Sequence, residues 1–241
     1  MKRFFPSMHD RPEKWMPAAL VAYWPLAFMV LPAILPLLAT GLLEDNQVSA
    51  WIDIVYHAIN AFVVVIMLRS YFVDSFLNVQ LETRNFLITV GIALLMMLVL
   101  PLVLCLGLNI DVFSAYPIKE MNMLGTAGFM VESLPLFGTL CHTLLTPITV
   151  VGLFYAAGFA PLSCRKGWLG YLVLPLMILI PNMLDAWARG YMGFWLANFL
   201  LQLPIHWIAC WSYQKTDTVW APLVTLSAFN LLTSLLCLLC L

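Results

Sequence analysis

The chain has 241 residues, of which 63% are hydrophobic and 10% are charged, and its mean hydropathy is +0.96. A soluble domain of this length could not bury so much apolar surface, so the composition excludes that class and indicates an integral membrane protein. The net charge of −1 provides no general positive field for nucleic acid. We therefore expect the lipid bilayer as a partner and no nucleic acid.

Apolar runs of about 20 residues predict an all-α bundle of transmembrane helices. A short tail, residues 1–16, precedes a single integral membrane domain that covers residues 17–241. The seven predicted spans cover residues 17–43, 49–68, 86–108, 137–161, 168–186, 191–213 and 219–240. Residues 122–136 are apolar but interrupted by two glycines and a proline, so an eighth, re-entrant or interfacial segment stays open.

Loop charges indicate the orientation of this bundle. With a cytoplasmic N-terminus, the inner side holds nine basic residues, namely Lys2, Arg3, Arg11, Lys14, Arg69, Arg84, Arg165, Lys166 and Lys215. The outer side holds Lys119 and Arg189. This asymmetry follows the positive-inside rule, and an eighth true span before residue 137 would spoil it. We therefore predict seven spans and a cytoplasmic N-terminus.

Polar side chains recur at helical spacing inside four of the predicted spans. They form stripes on the second span (Asp53, His57, Asn60), the fifth (Asn182, Asp185), the sixth (Asn198, Gln202, His206) and the seventh (Ser227, Asn230, Ser234). Because unsatisfied polar groups are costly in hydrocarbon, we expect these stripes to face the bundle interior around a polar cavity. Each stripe also has an ordinary structural interpretation, as an ion pair or as hydrogen bonds between helices.

Glu132 is the most unusual polar residue of the chain. It is a lone carboxylate in an apolar run, which calls for a partner or a function. His142 follows ten positions later, which corresponds to about 15 Å along a continuous helix. The two side chains could therefore meet only if Pro135 breaks that helix.

The six cysteines lie almost entirely in apolar runs, which favours buried thiols over a disulfide framework. Cys237 and Cys240 form a CxxC pair, but a zinc ribbon needs a second pair. The adjacent Cys141 and His142 are a weak metal signature, because neighbours on a helix point about 100° apart. We therefore expect no metal and no cofactor.

The stretch from Trp211 to Leu232 reads WSYQKTDTVWAPLVTLSAFNLL, in which a Thr-Asp-Thr turn leads to Trp-Ala-Pro and an apolar helix. It resembles the last signature of the CPBP intramembrane proteases, the CAAX-protease and bacteriocin-processing family. The resemblance covers residues 150–235 and implies that family's helical core, located in a prokaryotic cytoplasmic membrane. In that family, three signatures supply a glutamate that activates water, a histidine, and a histidine with an asparagine.

Six positions correspond to this active site, and five of them lack the family's residue. They are Val151, Gly152, Ala156, Asn182, Ser227 and Asn230. The first two stand in place of the paired glutamates, Ala156 in place of the arginine, and Asn182 and Ser227 in place of the histidines. Asn230 is the one remnant of the site. The resemblance thus implies a degenerate member without a general base at the family's positions.

Three functions are compatible with these observations. The first is a non-catalytic pseudoprotease that binds a peptide, a lipidated segment or the transmembrane helix of a partner protein. The second is an active CPBP-type intramembrane peptidase with a rearranged site, in which Glu132 is the base and some of His57, His142 and His206 are its partners. The third is a structural subunit of a membrane complex, or a small-solute pathway lined by the polar stripes.

Overall fold

The computed structural model describes residues 22–38, 46–109, 133–159, 168–174, 176–177 and 192–240. All regular secondary structure in these ranges is helical, and they contain no strand. This confirms the prediction of an all-α protein. The predicted tail, residues 1–16, and most of the ambiguous segment 122–136 lie outside the described residues.

The helices whose bounds the structure describes are eight α-helices and three π-helical stretches. In chain order they are a π-helical stretch Leu26–Val30, α1 Leu31–Leu38, α2 Asn46–Met67, α3 Arg69–Leu81, α4 Thr83–Leu108, α5 Pro135–Leu140, a π-helical stretch Cys141–Leu145, α6 Thr146–Val150, a third π-helical stretch Val151–Phe159, α7 Met192–Thr216 and α8 Trp220–Cys240. The elements from residue 135 to residue 159 follow one another without a break, and we call them together the central helix.

Three helices of the described part are long and apolar enough to cross a membrane, namely Ala50–Met67, Thr83–Leu108 and Pro135–Ala156. A shorter apolar helix covers Trp220–Leu236. Large apolar side chains such as Phe62 and Leu106 lie on the outside of α2 and α4, with 67% and 73% of their surface exposed. Such outward apolar faces suit a hydrocarbon environment, so the structure supports a membrane protein. The number of spans and the side of the N-terminus stay predictions.

Helix α3 occupies most of residues 69–85, which the sequence interpretation placed in a connection between two spans without assigning a conformation. The segment contains neither glycine nor proline, so nothing in it interrupts a helix. Single residues, Leu68 and Glu82, separate α3 from α2 and α4. Most of the connection between α2 and α4 is therefore itself a helix.

The central helix lies between α2 and α8, while α4 packs against α7 and α8. The largest buried side chains of this core include Phe154, Tyr155, Phe159 and Tyr213. Aromatic edges meet there, since the rings of Phe159 and Tyr213 are 5.6 Å apart at an angle of 89°.

Helix α2 approaches the central helix closely at Gly152. A Cβ atom built on Gly152 would overlap Cγ1 of Val64 and lie 2.9 Å from its Cγ2. Val64 is fully buried at this contact. Only a residue without a side chain allows the two helices to approach so closely.

Candidate functional site

His142 is the centre of a buried polar group in the described part of the bundle. It lies in the π-helical stretch Cys141–Leu145, and only 4% of its surface is exposed. Its Nδ1 is 2.9 Å from the Oγ of Ser234 on α8, and Nδ2 of Asn230 donates to its main-chain oxygen at 2.9 Å. Two turns of α8 are thus bound to the central helix through one histidine.

His57 of α2 completes this group. It is 1% exposed, and it lies on a helix that contacts the π-helical stretch of His142. Its ring meets the edge of Tyr56 at a centroid distance of 5.1 Å, whereas its Nδ1 has no hydrogen-bond partner among the described residues. We call His57, His142, Asn230 and Ser234 the histidine cluster.

Three helices build the histidine cluster, and the local sequence explains how. The π-helical turns widen the central helix at Cys141–Leu145, a feature that is frequent at functional sites. On α8, Asn230 and Ser234 are four positions apart and therefore share a face. Side chains of different elements thus converge on His142 at a position where α2, α8 and the central helix are in contact.

The contacts within this cluster are hydrogen bonds between His142 and the two residues of α8. Between Ser234 and His142, either side chain can donate, because the direction depends on the tautomer of the ring. Asp53, half-buried on α2, is near enough for its charge to act on Cys141. Among the described residues, no three His, Cys, Asp or Glu side chains lie together in a way that could hold a metal ion.

Asn60, the third residue of the predicted stripe on α2, has partners of its own. Its Oδ1 accepts a hydrogen bond from the Tyr23 hydroxyl at 2.8 Å, and its Nδ2 donates to the main-chain oxygen of Tyr56 at 3.1 Å. The residue is fully buried. Asn60 therefore binds the segment before α1 to α2 and is occupied by structural contacts.

His206 of α7 belongs to a second buried polar group. Its Nδ1 is 3.1 Å from the hydroxyl of Tyr155, and its Nε2 has no hydrogen-bond partner among the described residues. Gln202, one turn earlier, is 5% exposed. Gln202 and His206 are thus both buried, but His206 pairs with Tyr155 and not with the histidines of the first group.

The positions that correspond to the first CPBP signature lie in apolar packing. All three lie in the π-helical stretch Val151–Phe159, and Val151 and Ala156 are at most 1% exposed. Ser227 is half-buried on α8, and Asn230 belongs to the histidine cluster. The region of the absent glutamates therefore faces Val64 of α2 rather than the two histidines.

Several predicted positions lie outside the described residues. They are Glu132, Asn182 and Asp185, together with the side chain of Asn198. The proposed pairing of Glu132 with a histidine therefore stays a prediction. The described chain resumes at residue 133, and α5 begins at Pro135.

Some contacts of the buried polar groups escaped the sequence interpretation. Tyr155 was not among the predicted site residues, yet it is the partner of His206. Ser234 was part of a stripe, but nothing in its sequence context indicates His142 as its partner. Tyr71 and Tyr213 also form a buried pair, with hydroxyl oxygens 3.0 Å apart.

The fold and these contacts define a helical membrane protein with two buried histidine-containing groups. No protein-family model, no curated protein and no solved structure matches the chain. The CPBP resemblance therefore stays a hypothesis that depends on residues 150–235 of the sequence.

Proposed function

We propose that this chain is a multi-pass membrane protein with a CPBP-like scaffold and no proteolytic activity. It binds a peptide, a lipidated segment or the transmembrane helix of a partner protein. The proposal includes seven spans, a cytoplasmic N-terminus and a location in a prokaryotic cytoplasmic membrane.

The observation that carries this proposal is the contact between Gly152 and Val64. In the family, a glutamate at this position would need space and water to act as a general base. Here the first side-chain atom at residue 152 would already overlap Cγ1 of Val64. Val151 and Ala156 on either side are buried among apolar groups. This packing supports a scaffold without the family's general base.

The polar residues of α8 support the same conclusion. Asn230 donates to the main chain of His142, and Ser234 is bonded to the His142 ring. Both side chains are more than nine-tenths buried. Groups that satisfy each other in this way hold helices together and leave little capacity for a substrate carbonyl.

The test uses the purified protein in phosphatidylcholine vesicles with a farnesylated peptide that carries a fluorophore and a quencher. We expect saturable binding of this peptide and no cleavage above that of empty vesicles. The same peptide without the farnesyl group is the control for binding to the lipid chain. Cleavage that disappears in Glu132→Ala would overturn the proposal, and an absence of saturable binding to farnesylated and transmembrane peptides alike would refute the binding role.

One observation favours the active peptidase as a second candidate. Two of its three proposed histidines, His57 and His142, are buried on helical elements that contact each other, while His206 lies with Tyr155. A catalytic role of Glu132 with this cluster predicts that cleavage is lost in both Glu132→Ala and His142→Gln. His206→Gln is the matched control, because it alters a buried histidine of the other group and should retain cleavage.

A further inference from the structure

Helix α3 has a fixed rotation because its inner side is hydrogen-bonded to the start of α8. The hydroxyl of Thr218 donates to the main-chain oxygen of Ser75 at 3.0 Å, and Nε1 of Trp220 donates to that of Phe72 at 2.9 Å. Nδ2 of Asn78 donates in turn to the main-chain oxygen of Asp217 at 3.3 Å. The buried side chains of α3, Tyr71 and Ser75, face this contact.

The opposite side of α3 carries an exposed apolar stripe. Its members Val73, Phe76, Leu77 and Leu81 are 61%, 43%, 37% and 64% exposed. They are spaced at i, i+3, i+4 and i+8, so they lie on one face of the helix. Arg69, Ser70 and Gln80 share that exposed side. The face is thus mainly apolar, with polar groups near both of its ends.

The position of α3 in the chain indicates what covers this stripe. One residue at each end connects it to α2 and α4, which contain two of the candidate membrane spans. A connection between consecutive spans lies at one boundary of the bilayer. At 13 residues, α3 is about 20 Å long, too short to cross the hydrocarbon core of about 30 Å. The neighbouring ends of α2 and α4 also carry exposed apolar side chains, Ile66 on α2 and Leu87 on α4.

We propose that α3 is an interfacial membrane helix whose apolar stripe lies in the headgroup and upper acyl-chain region of the leaflet. The inference rests on the multi-pass arrangement under Proposed function, and it is independent of whether the protein is a protease. Arg69, Arg84 and Lys215 are exposed on and next to α3 and α8, and Asp74, Glu82 and Asp217 are within five residues of them in the sequence. These described charges balance, so apolar insertion holds the helix in place and anionic lipid is not required.

The experiment places an environment-sensitive fluorescent amino acid at one position at a time and reconstitutes the protein in phosphatidylcholine vesicles. The positions are Val73 and Leu81 for the stripe, Phe62 for the exposed face of α2 and Lys215 for the exposed polar end. Brominated phosphatidylcholine, substituted near the carbonyl or near the chain end, quenches fluorescence by depth, and iodide quenches it from water. We expect the shallow lipid to quench Val73 and Leu81 at least twofold more strongly than the deep lipid, with the reverse at Phe62.

Three results would contradict either the interfacial helix or the multi-pass arrangement. Strong iodide quenching at Val73 and Leu81, equal to that at Lys215, would place the stripe in water. Protection from both lipid and iodide would mean that protein covers it. Either result, with Phe62 quenched by the deep lipid, refutes the interfacial helix alone. Iodide quenching of Phe62 would instead refute the membrane crossing of α2, on which the multi-pass proposal depends.

Discussion

The Oγ of Ser234 lies 2.9 Å from Nδ1 of His142, and both side chains are almost fully buried. The contact joins residues 92 positions apart, on α8 and on the π-helical part of the central helix. His142 thus makes two contacts with α8, because Asn230 donates to the main chain of the same residue. The stability of the bundle should therefore depend on this histidine whatever the protein binds.

Removal of the Ser234 hydroxyl tests that dependence. We expect Ser234→Ala to lower the free energy of unfolding by about 1 kcal/mol, because the His142 Nδ1 loses its partner in a buried place. The measurement is SDS-induced unfolding in bicelles. Ser227→Ala on the same helix is the matched control, since Ser227 is half-buried. Equal effects of the two substitutions would contradict a special role for Ser234.

A methyl group at Gly152 should separate α2 from the central helix. We expect Gly152→Ala to destabilise the protein by about 1–3 kcal/mol, because the new Cβ overlaps Val64 in a packed interior. Val64→Ala should restore part of that loss when the two substitutions are combined. Gly91→Ala is the control, as no atom lies within 4 Å of the Cβ position there. A neutral Gly152→Ala in thermal unfolding would disprove the close contact.

The buried tyrosine pair is suited to a double-mutant cycle. The hydroxyl oxygens of Tyr71 and Tyr213 are 3.0 Å apart and join α3 to α7. Tyr71→Phe and Tyr213→Phe remove one hydroxyl each and preserve the rings. We expect a coupling energy of about 0.5–1 kcal/mol in the free energy of unfolding. Strict additivity of the two substitutions would show that the hydroxyl contact contributes no stability.

Trp220→Phe should loosen α3 from α8 selectively. The substitution removes the Nε1 hydrogen bond to Phe72 and retains an aromatic ring beside Phe72 and Phe76. We expect a loss of about 1 kcal/mol and faster hydrogen exchange of the α3 amides, measured by mass spectrometry. Trp168→Phe is the control, because that side chain is 60% exposed. Unchanged exchange in α3 would exclude the tryptophan as its attachment.

Much of the helical framework could be predicted from the sequence. The predicted spans 49–68, 86–108, 137–161, 191–213 and 219–240 differ from the observed helices by only a few residues at each end. The reason is local, because a long apolar run must form a helix to satisfy its main chain in hydrocarbon. The sequence placed residues 69–85 outside the spans but did not indicate their conformation, because their mixed composition gives no hydropathy signal; the structure has α3 there.

The candidate site was predictable only as a set of stripes. Helical spacing indicated that His57 and Asn60 share a face, and both are buried. The same spacing placed Gln202 and His206 together on α7. It could not separate the histidines into two groups, because the period of one helix carries no information about its neighbours.

The sequence by itself determined that this protein is helical, apolar enough for a membrane and provided with inward polar stripes. These properties follow from composition and from a period of 3.6 residues, which are local quantities. The tertiary structure alone decided that His142 binds Ser234, that His206 pairs with Tyr155 and that Val64 occupies the space beside Gly152. Those choices depend on the rotation and approach of packed helices, which contacts between distant residues establish.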